Sequence, residues 1–276
     1  MTIRARADQA EVFAANRARG RIALTAASSQ GTTRRRRVVE EGSLRVRFPA
    51  RRNAALDAVI VNTAGGIAGG DRLDVTVAVE AAASLVVTTA SAEKVYRSLG
   101  PDAAVGLTLT VAAQGSLAWL PQEAILFDGA RLRRTIEVEL AEGASLVLAE
   151  ALVFGRAAMG EALEHGSVFD RWRVRRGGTL VFAETMRLDG EIGAHLRERA
   201  VAAGGGGIAT LLAFPAVAAR IAPLRDHGDW RGEAAVSTWN GFAAARFVAA
   251  DGATLRYDLT AALAGLGVAL PPLWVN

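Results

Sequence analysis

The chain has no cysteine, one lysine (Lys94) and three histidines among its 276 residues, and each shortage removes a class of chemistry. Without cysteine there is no disulfide framework and no thiolate nucleophile or ligand. His165, His195 and His227 are not spaced as paired metal ligands. Neither a Gly-x-Ser-x-Gly elbow nor a Walker-type phosphate loop occurs. Metallohydrolase and nucleotidase chemistry therefore lack the ligand clusters they need. No apolar run approaches the roughly 18 residues of a membrane span, because Arg, Glu and Gly interrupt the Ala-rich stretches. The first eleven residues mix Arg, Asp and Glu and do not read as a secretory signal, so a cytoplasmic address is expected.

What is present is apolar bulk and arginine. The hydrophobic fraction is 51%, which supplies a sizeable core. The net charge is only +4 although the pI is about 10.4. Arginine stays charged to high pH, so the pI exaggerates how basic the surface is. The Arg34–Arg37 tract, with Arg4, Arg6, Arg17, Arg19 and Arg21 upstream, carries no interleaved aromatics and precedes no nucleic-acid motif. It is expected to be a solvated turn between two strands, with no nucleic-acid partner.

A pattern recurs four times: a strand-like segment, a short link, then Ser/Thr-Leu and a second apolar strand. The pairs are Leu73–Glu80 with Ser84–Thr89, Val105–Ala112 with Ser116–Pro121, Thr135–Ala141 with Ser145–Glu150, and Phe169–Arg176 with Thr179–Glu184. Leu85, Leu117, Leu146 and Leu180 mark steps of 32, 29 and 34 residues. The links are small or Gly-rich and read as hairpin-like. Stacked all-β units follow, giving a mainly β, helix- or solenoid-like body with a small α+β region after it. An ordinary β-sandwich is the competing architecture. The first strands alternate, as in Leu73, Val75, Val77 and Val79, whereas the second strands are apolar on both faces and should lie inside the stack.

Three regions are expected: an N-terminal segment (1–39), the stacked body (40–203) and an appendage (204–276) beginning at the Gly204–Gly207 break. In the appendage, Thr210–Arg225 has helical spacing, Ala234–Trp239 and Ala243–Ala249 form a hairpin about Asn240-Gly241, and Ala253–Leu266 is helical.

The glycines of Gly65-Gly66-Ile67-Ala68-Gly69-Gly70-Asp71 precede a strand and not a helix, so they read as a tight turn capped by Asp71 and not as a phosphate cradle. Glu150 and Glu184 close two of the repeated apolar strands at the same phase. A carboxylate there needs a partner, water or a cation if it is buried. Stacking would align the two along a polar passage that hands on a divalent cation; solvent-exposed strand ends are the alternative. Tyr96, Arg97 and Trp119 are candidates for a docking surface, with core packing favoured for Trp119. A competing class is a small-molecule enzyme on the same scaffold, using Asp71, Glu123 and Asp128 as acid–base groups.

These segments also resemble a known family. Gly65–Asp71 resembles the Gly-Gly-x-x-Gly-Gly-Asp signature of urease accessory protein D, and Ala92-Glu93-Lys94-Val95-Tyr96-Arg97-Ser98 its Lys-Phe/Tyr-Tyr-Arg-Ser stretch. Trp119-Leu120-Pro121-Gln122-Glu123 with Phe127-Asp128-Gly129-Ala130, then Gly155–Glu161, Arg187-Leu188-Asp189-Gly190 and Pro271-Pro272-Leu273-Trp274, follow in family order over roughly residues 40–276. Asn62-Thr63-Ala64 departs from the usual Pro-Pro. The resemblance implies a scaffold without catalysis that binds the urease structural subunits and accessory proteins F and G. It further implies an internal tunnel for nickel in transit, with no tightly bound cofactor. By motif alignment, Asp71, Glu150 and Glu184 would line that tunnel. Gly65, Gly66, Gly69, Gly70, Tyr96, Arg97, Glu123, Asp128 and Glu161 would serve interfaces or structural motifs.

Overall fold

Strands joined by four-residue arcs at 80–83, 112–115 and 141–144 stack into two facing sheets. The computed structural model describes residues 16–50, 53–215 and 218–274; the expectations for residues 1–11, including Arg4 and Arg6, lie outside them. Sheet A runs, in spatial order, β15 (Thr179–Gly190), β14 (Gly166–Arg176), β11 (Arg131–Leu140), β8 (Ala103–Val111), β5 (Arg72–Val79), β1 (Arg19–Ser29) and β2 (Thr32–Gly42). Sheet B runs β17 (Glu233–Trp239), β18 (Phe242–Ala249), β16 (Gly207–Phe214), β12 (Ser145–Arg156), β9 (Ser116–Trp119), β6 (Ser84–Thr89), β4 (Leu56–Asn62) and β3 (Leu44–Arg47). Short strands β7 (Glu93–Val95), β10 (Ala124–Leu126) and β13 (Glu161–Ala162) pair beside that path.

The stack is parallel. Val77, Leu109, Val138 and Val174 line up across neighbouring rungs of sheet A, and Leu85, Leu117 and Leu146 do the same in sheet B. The links β5–β6, β8–β9 and β11–β12 therefore cross between sheets instead of folding back as hairpins. The reason lies in one residue per link. Ala82, Gln114 and Gly143 each take positive φ, two residues before the next strand. A backbone turn bond precedes each strand, as from Gly115 N to Ala112 O at 2.9 Å. Such a turn redirects the chain toward the facing sheet, where the doubly apolar second strand pairs above and below.

The fourth repeat differs. Gly177 and Gly178 both have positive φ, a two-residue hairpin loop, so β15 returns antiparallel along β14 within sheet A. Leu180 consequently leaves the leucine ladder and is 47% exposed. The Arg34–Arg37 tract is not a turn either: it lies in β2, exposed at the edge of sheet A, and the turn falls at Gln30-Gly31. Arginines on an edge strand oppose further pairing.

Thr210–Arg225 is not one helix. Its first residues belong to β16, with Glu150 opposite Thr210 and Leu146 opposite Phe214, and only Ala218–Arg225 is helical (α2, after the short α1 at Ile192–Arg197). Pairing with apolar neighbours on both sides overrides local periodicity. The hairpin about Asn240-Gly241 forms. Helix α3 (Gly252–Gly265) begins at Asp251, whose side chain accepts from Thr254 N at 2.8 Å, and buries Leu255, Leu259, Ala262 and Leu263.

Candidate functional site

Between the sheets, inward-facing residues meet in a charged knot. Strand β11 points Leu132, Arg134, Ile136, Val138 and Leu140 inward, and β14 points Val168, Asp170, Trp172 and Val174 inward. One polar position on each apolar face thus carries charge, and Arg134 and Asp170 are direct cross-strand partners. Arg134 donates Nε to Asp170 Oδ1 (2.9 Å) and Nη2 to Asp170 Oδ2 (2.6 Å). Its Nη1 reaches across to Glu150 Oε2 on β12. Indole nitrogens complete the set: Trp119 Nε1 donates to Glu150 Oε1 (2.8 Å) and Trp172 Nε1 to Asp170 Oδ2 (3.0 Å).

All three charged residues are buried, at 7% exposure for Arg134, 9% for Glu150 and 6% for Asp170. One guanidinium therefore serves two carboxylates. Burial pushes the Glu150 carboxyl above the usual range, against the pull of Arg134 and Trp119. Burial also opposes the Arg134 charge, yet Asp170 and Glu150 hold its pKa above the ordinary guanidinium value. Glu184 lies on β15, paired with Arg246 of β18 at 2.7 Å; its half-buried carboxyl is raised by desolvation.

The knot separates two cavities. One of about 110 Å³ is walled mostly by apolar side chains, among them Leu73, Val105, Leu132 and Trp119, with Arg134 and Glu150 in its lining. The other, about 30 Å³, is lined by Arg134, Glu150, Asp170, Glu184 and Thr210. Leu152, Met186 and Ile208 also line it, and it has room for a water-sized species beside the charged groups. The larger cavity also shares Ile60, Thr89 and Glu93 with a third pocket of about 210 Å³, which includes the exposed Ser91 and Lys94. Glu93 accepts from Asn62 Nδ2 at 3.2 Å, and burial pushes its carboxyl up to about 7.

Glu150 and Glu184 thus line one cavity, but from opposite sheets. They do not stack in one column, because β15 turned back into sheet A. Asp71 stands apart from them. Its two oxygens accept from Ala18 N and Ala68 N, both at 2.8 Å, and fasten the glycine turn ahead of β5. Arg134, Asp170, Arg246 and Glu93 belong to the site without a motif to mark them as site residues. A charge on an apolar strand phase, as at positions 134 and 170, was the available signal. Among the described residues, no group of three or more His, Cys, Asp or Glu is placed to hold a metal ion.

The motif residues form a second constellation. Ile67 N donates to Lys94 O and Tyr96 N to Ile67 O, while Tyr96 Oη donates to Gly65 O at 2.9 Å. A Cβ at Gly66 would sit 2.4 Å from the Tyr96 ring, and one at Gly69 2.0 Å from Ser98 Oγ. The glycines therefore admit the 94–98 segment. Tyr96 packs edge-on to Phe127 (5.2 Å), which Arg156 covers; Arg156 pairs with Glu161. Glu161 accepts from Asp128 N, and Asp128 Oδ1 from Glu164 N and His165 N. The His165 amide bond, more than any other contact, lowers the Asp128 carboxyl. Arg97 crosses Gly129 and is exposed, as are Leu99 (97%) and Met159 (73%). Trp119 is core, not surface. Glu123 pairs with Arg256 of α3 at 2.6 Å. Asp71, Glu123 and Asp128 are each held by a different set of partners, which disfavours an acid–base centre built from them.

Comparison with known proteins gives a consistent result. A model of the UreD urease accessory protein family matches residues 18–273. The chain is 53% identical over 269 residues to a urease accessory protein UreD of Rhodopseudomonas palustris strain BisA53, covering 97% of this chain and 94% of that protein. It is 55% identical over 267 residues to the namesake of strain HaA2, and 53% over 266 residues to that of Bradyrhizobium diazoefficiens, covering 96% of each chain in both cases.

Proposed function

Because the chain belongs to the UreD urease accessory protein family, we propose that it is a non-catalytic scaffold of urease maturation through whose interior nickel passes to the apoenzyme. One observation carries this reading: three cavities share walls in series, and each shared wall holds a carboxylate. Glu93 joins the outer pocket to the larger cavity, and Glu150 joins that cavity to the smaller one, where Glu184 also stands. Nickel is cargo here, not a resident cofactor. Carboxylate oxygens hold it less firmly than imidazole or thiolate would, which suits transit over storage. Asp71 is assigned to the same route by motif alignment, acting through the turn that seats Lys94–Ser98 beside Glu93.

The partners in this reading are the urease structural subunits and accessory proteins F and G, in the cytoplasm. Arg97, Leu99 and Met159, exposed around the Tyr96–Phe127–Asp128 constellation, offer the apolar and arginine contacts that protein interfaces favour. No helix of the described residues is long and apolar enough to cross a membrane. The test is urease activation in cells carrying the urease subunits and the other accessory proteins, with and without this chain. Activity and nickel content should rise only with it, and should fall when Glu150 and Glu184 are both replaced by Ala. Equal activation without the chain would overturn the assignment.

A further inference from the structure

The carboxylates that a passing cation would use are already occupied. Both Glu150 oxygens are engaged, one by Trp119 and one by Arg134, and Asp170 is gripped by the Arg134 fork. Arg134 is also in the lining of both interior cavities. A divalent cation entering the smaller cavity would meet a guanidinium in a region of low dielectric, where like charges repel strongly. Yet the local balance favours a second cation: Arg134 offsets only one of the two charges that Glu150 and Asp170 can carry.

Resting on the transit reading above, we propose that Arg134 is the gate of the passage: its guanidinium is a resident cation, and the cargo crosses only by taking Glu150 and Asp170 from it. Glu150 is the first carboxylate released, since a single N–H of Arg134 holds it whereas Asp170 has two. The arginine swings with its stem anchored on β11, then returns to the carboxylates once the ion has left. An arginine suits this role because it keeps its charge when buried and its planar fork returns to the same two oxygens. Each time the passage is empty the guanidinium returns, so Glu150 and Asp170 are not left buried without a cation.

The test separates gating from delivery by measuring nickel held by the purified chain. Arg134→Met removes the resident cation, and nickel affinity should rise at least about tenfold over the parent. Adding Glu150→Gln to that variant should abolish the gain. Should Arg134→Met fail to fold, Arg134→Lys, which keeps a buried charge but loses the fork, should show a gain in the same direction. A folded Met variant, or failing that a folded Lys variant, with no higher affinity would overturn the gate. So would a gain that survives Glu150→Gln. The transit reading fails separately, if Glu150→Gln in the otherwise unaltered chain leaves urease nickel content unchanged.

Discussion

Arg134 and Asp170 face each other across β11 and β14, joined by two hydrogen bonds in the apolar space between the sheets. Their relationship is unequal, because Arg134 has a second carboxylate in Glu150 while Asp170 has no second cation among its described bonds. That asymmetry orders the cost of breaking the knot.

Arg134→Met leaves two buried carboxylates without a cation and should cost about 3–5 kcal/mol. Asp170→Asn still leaves the Arg134–Glu150 pair and should cost less, about 1.5–3 kcal/mol. The gap should narrow as pH falls, since protonation relieves the unpaired carboxyls of the Met variant. Urea denaturation at pH 8 and pH 5 checks both the order and the trend.

Glu93 gives a pH dependence of opposite sense to an ordinary surface acid. Its folded pKa of about 7 lies above the ordinary glutamate value of 4.5, so between those values the native state binds more protons than the unfolded one. Stability contributed at this site therefore falls as pH rises through that window. Glu93→Gln lacks the penalty, so its melting temperature should match the parent near pH 4.5 and exceed it above pH 7. The charged neighbour is Lys94, the hydrogen-bond donor Asn62. A constant difference across the range would mean that the carboxyl is not desolvated.

Gly66→Ala should destabilise by about 1–3 kcal/mol, because the new Cβ meets the Tyr96 ring. The φ of +154° at Gly66 adds to the cost. Gly65→Ala, where the space is open but φ is +76°, should cost less. Thermal denaturation of the two variants side by side measures the difference.

The stacked β architecture was legible because its signal is repetitive: alternating strands, doubly apolar strands and leucines at near-constant steps. The links were misread because Ala-Ala-Ala and Gln-Gly carry no sign of a lone left-handed residue at Ala82 or Gln114, and only Gly177-Gly178 announced a true hairpin. That one turn decides where Glu184 goes. Glu150 was found as a carboxylate closing an apolar strand, but Arg134 and Asp170 sit mid-strand, where charge on the inward phase was the sign to follow. Glu93 was not recoverable from local pattern, since its hydrogen-bond partner Asn62 lies 31 residues away in sequence. Thr210–Phe214 was decided by β12 and β18, distant in sequence.

The most direct test of the passage keeps its shape and removes one charge. Glu150→Gln is nearly isosteric and keeps one acceptor oxygen, enough for either Trp119 or Arg134 but not both. Nickel per urease is then measured after co-expression with the accessory proteins, alongside co-purification of the complex. The account predicts an intact complex whose urease carries markedly less nickel than with the parent chain. A full nickel complement with Gln at position 150 would contradict the passage through this knot.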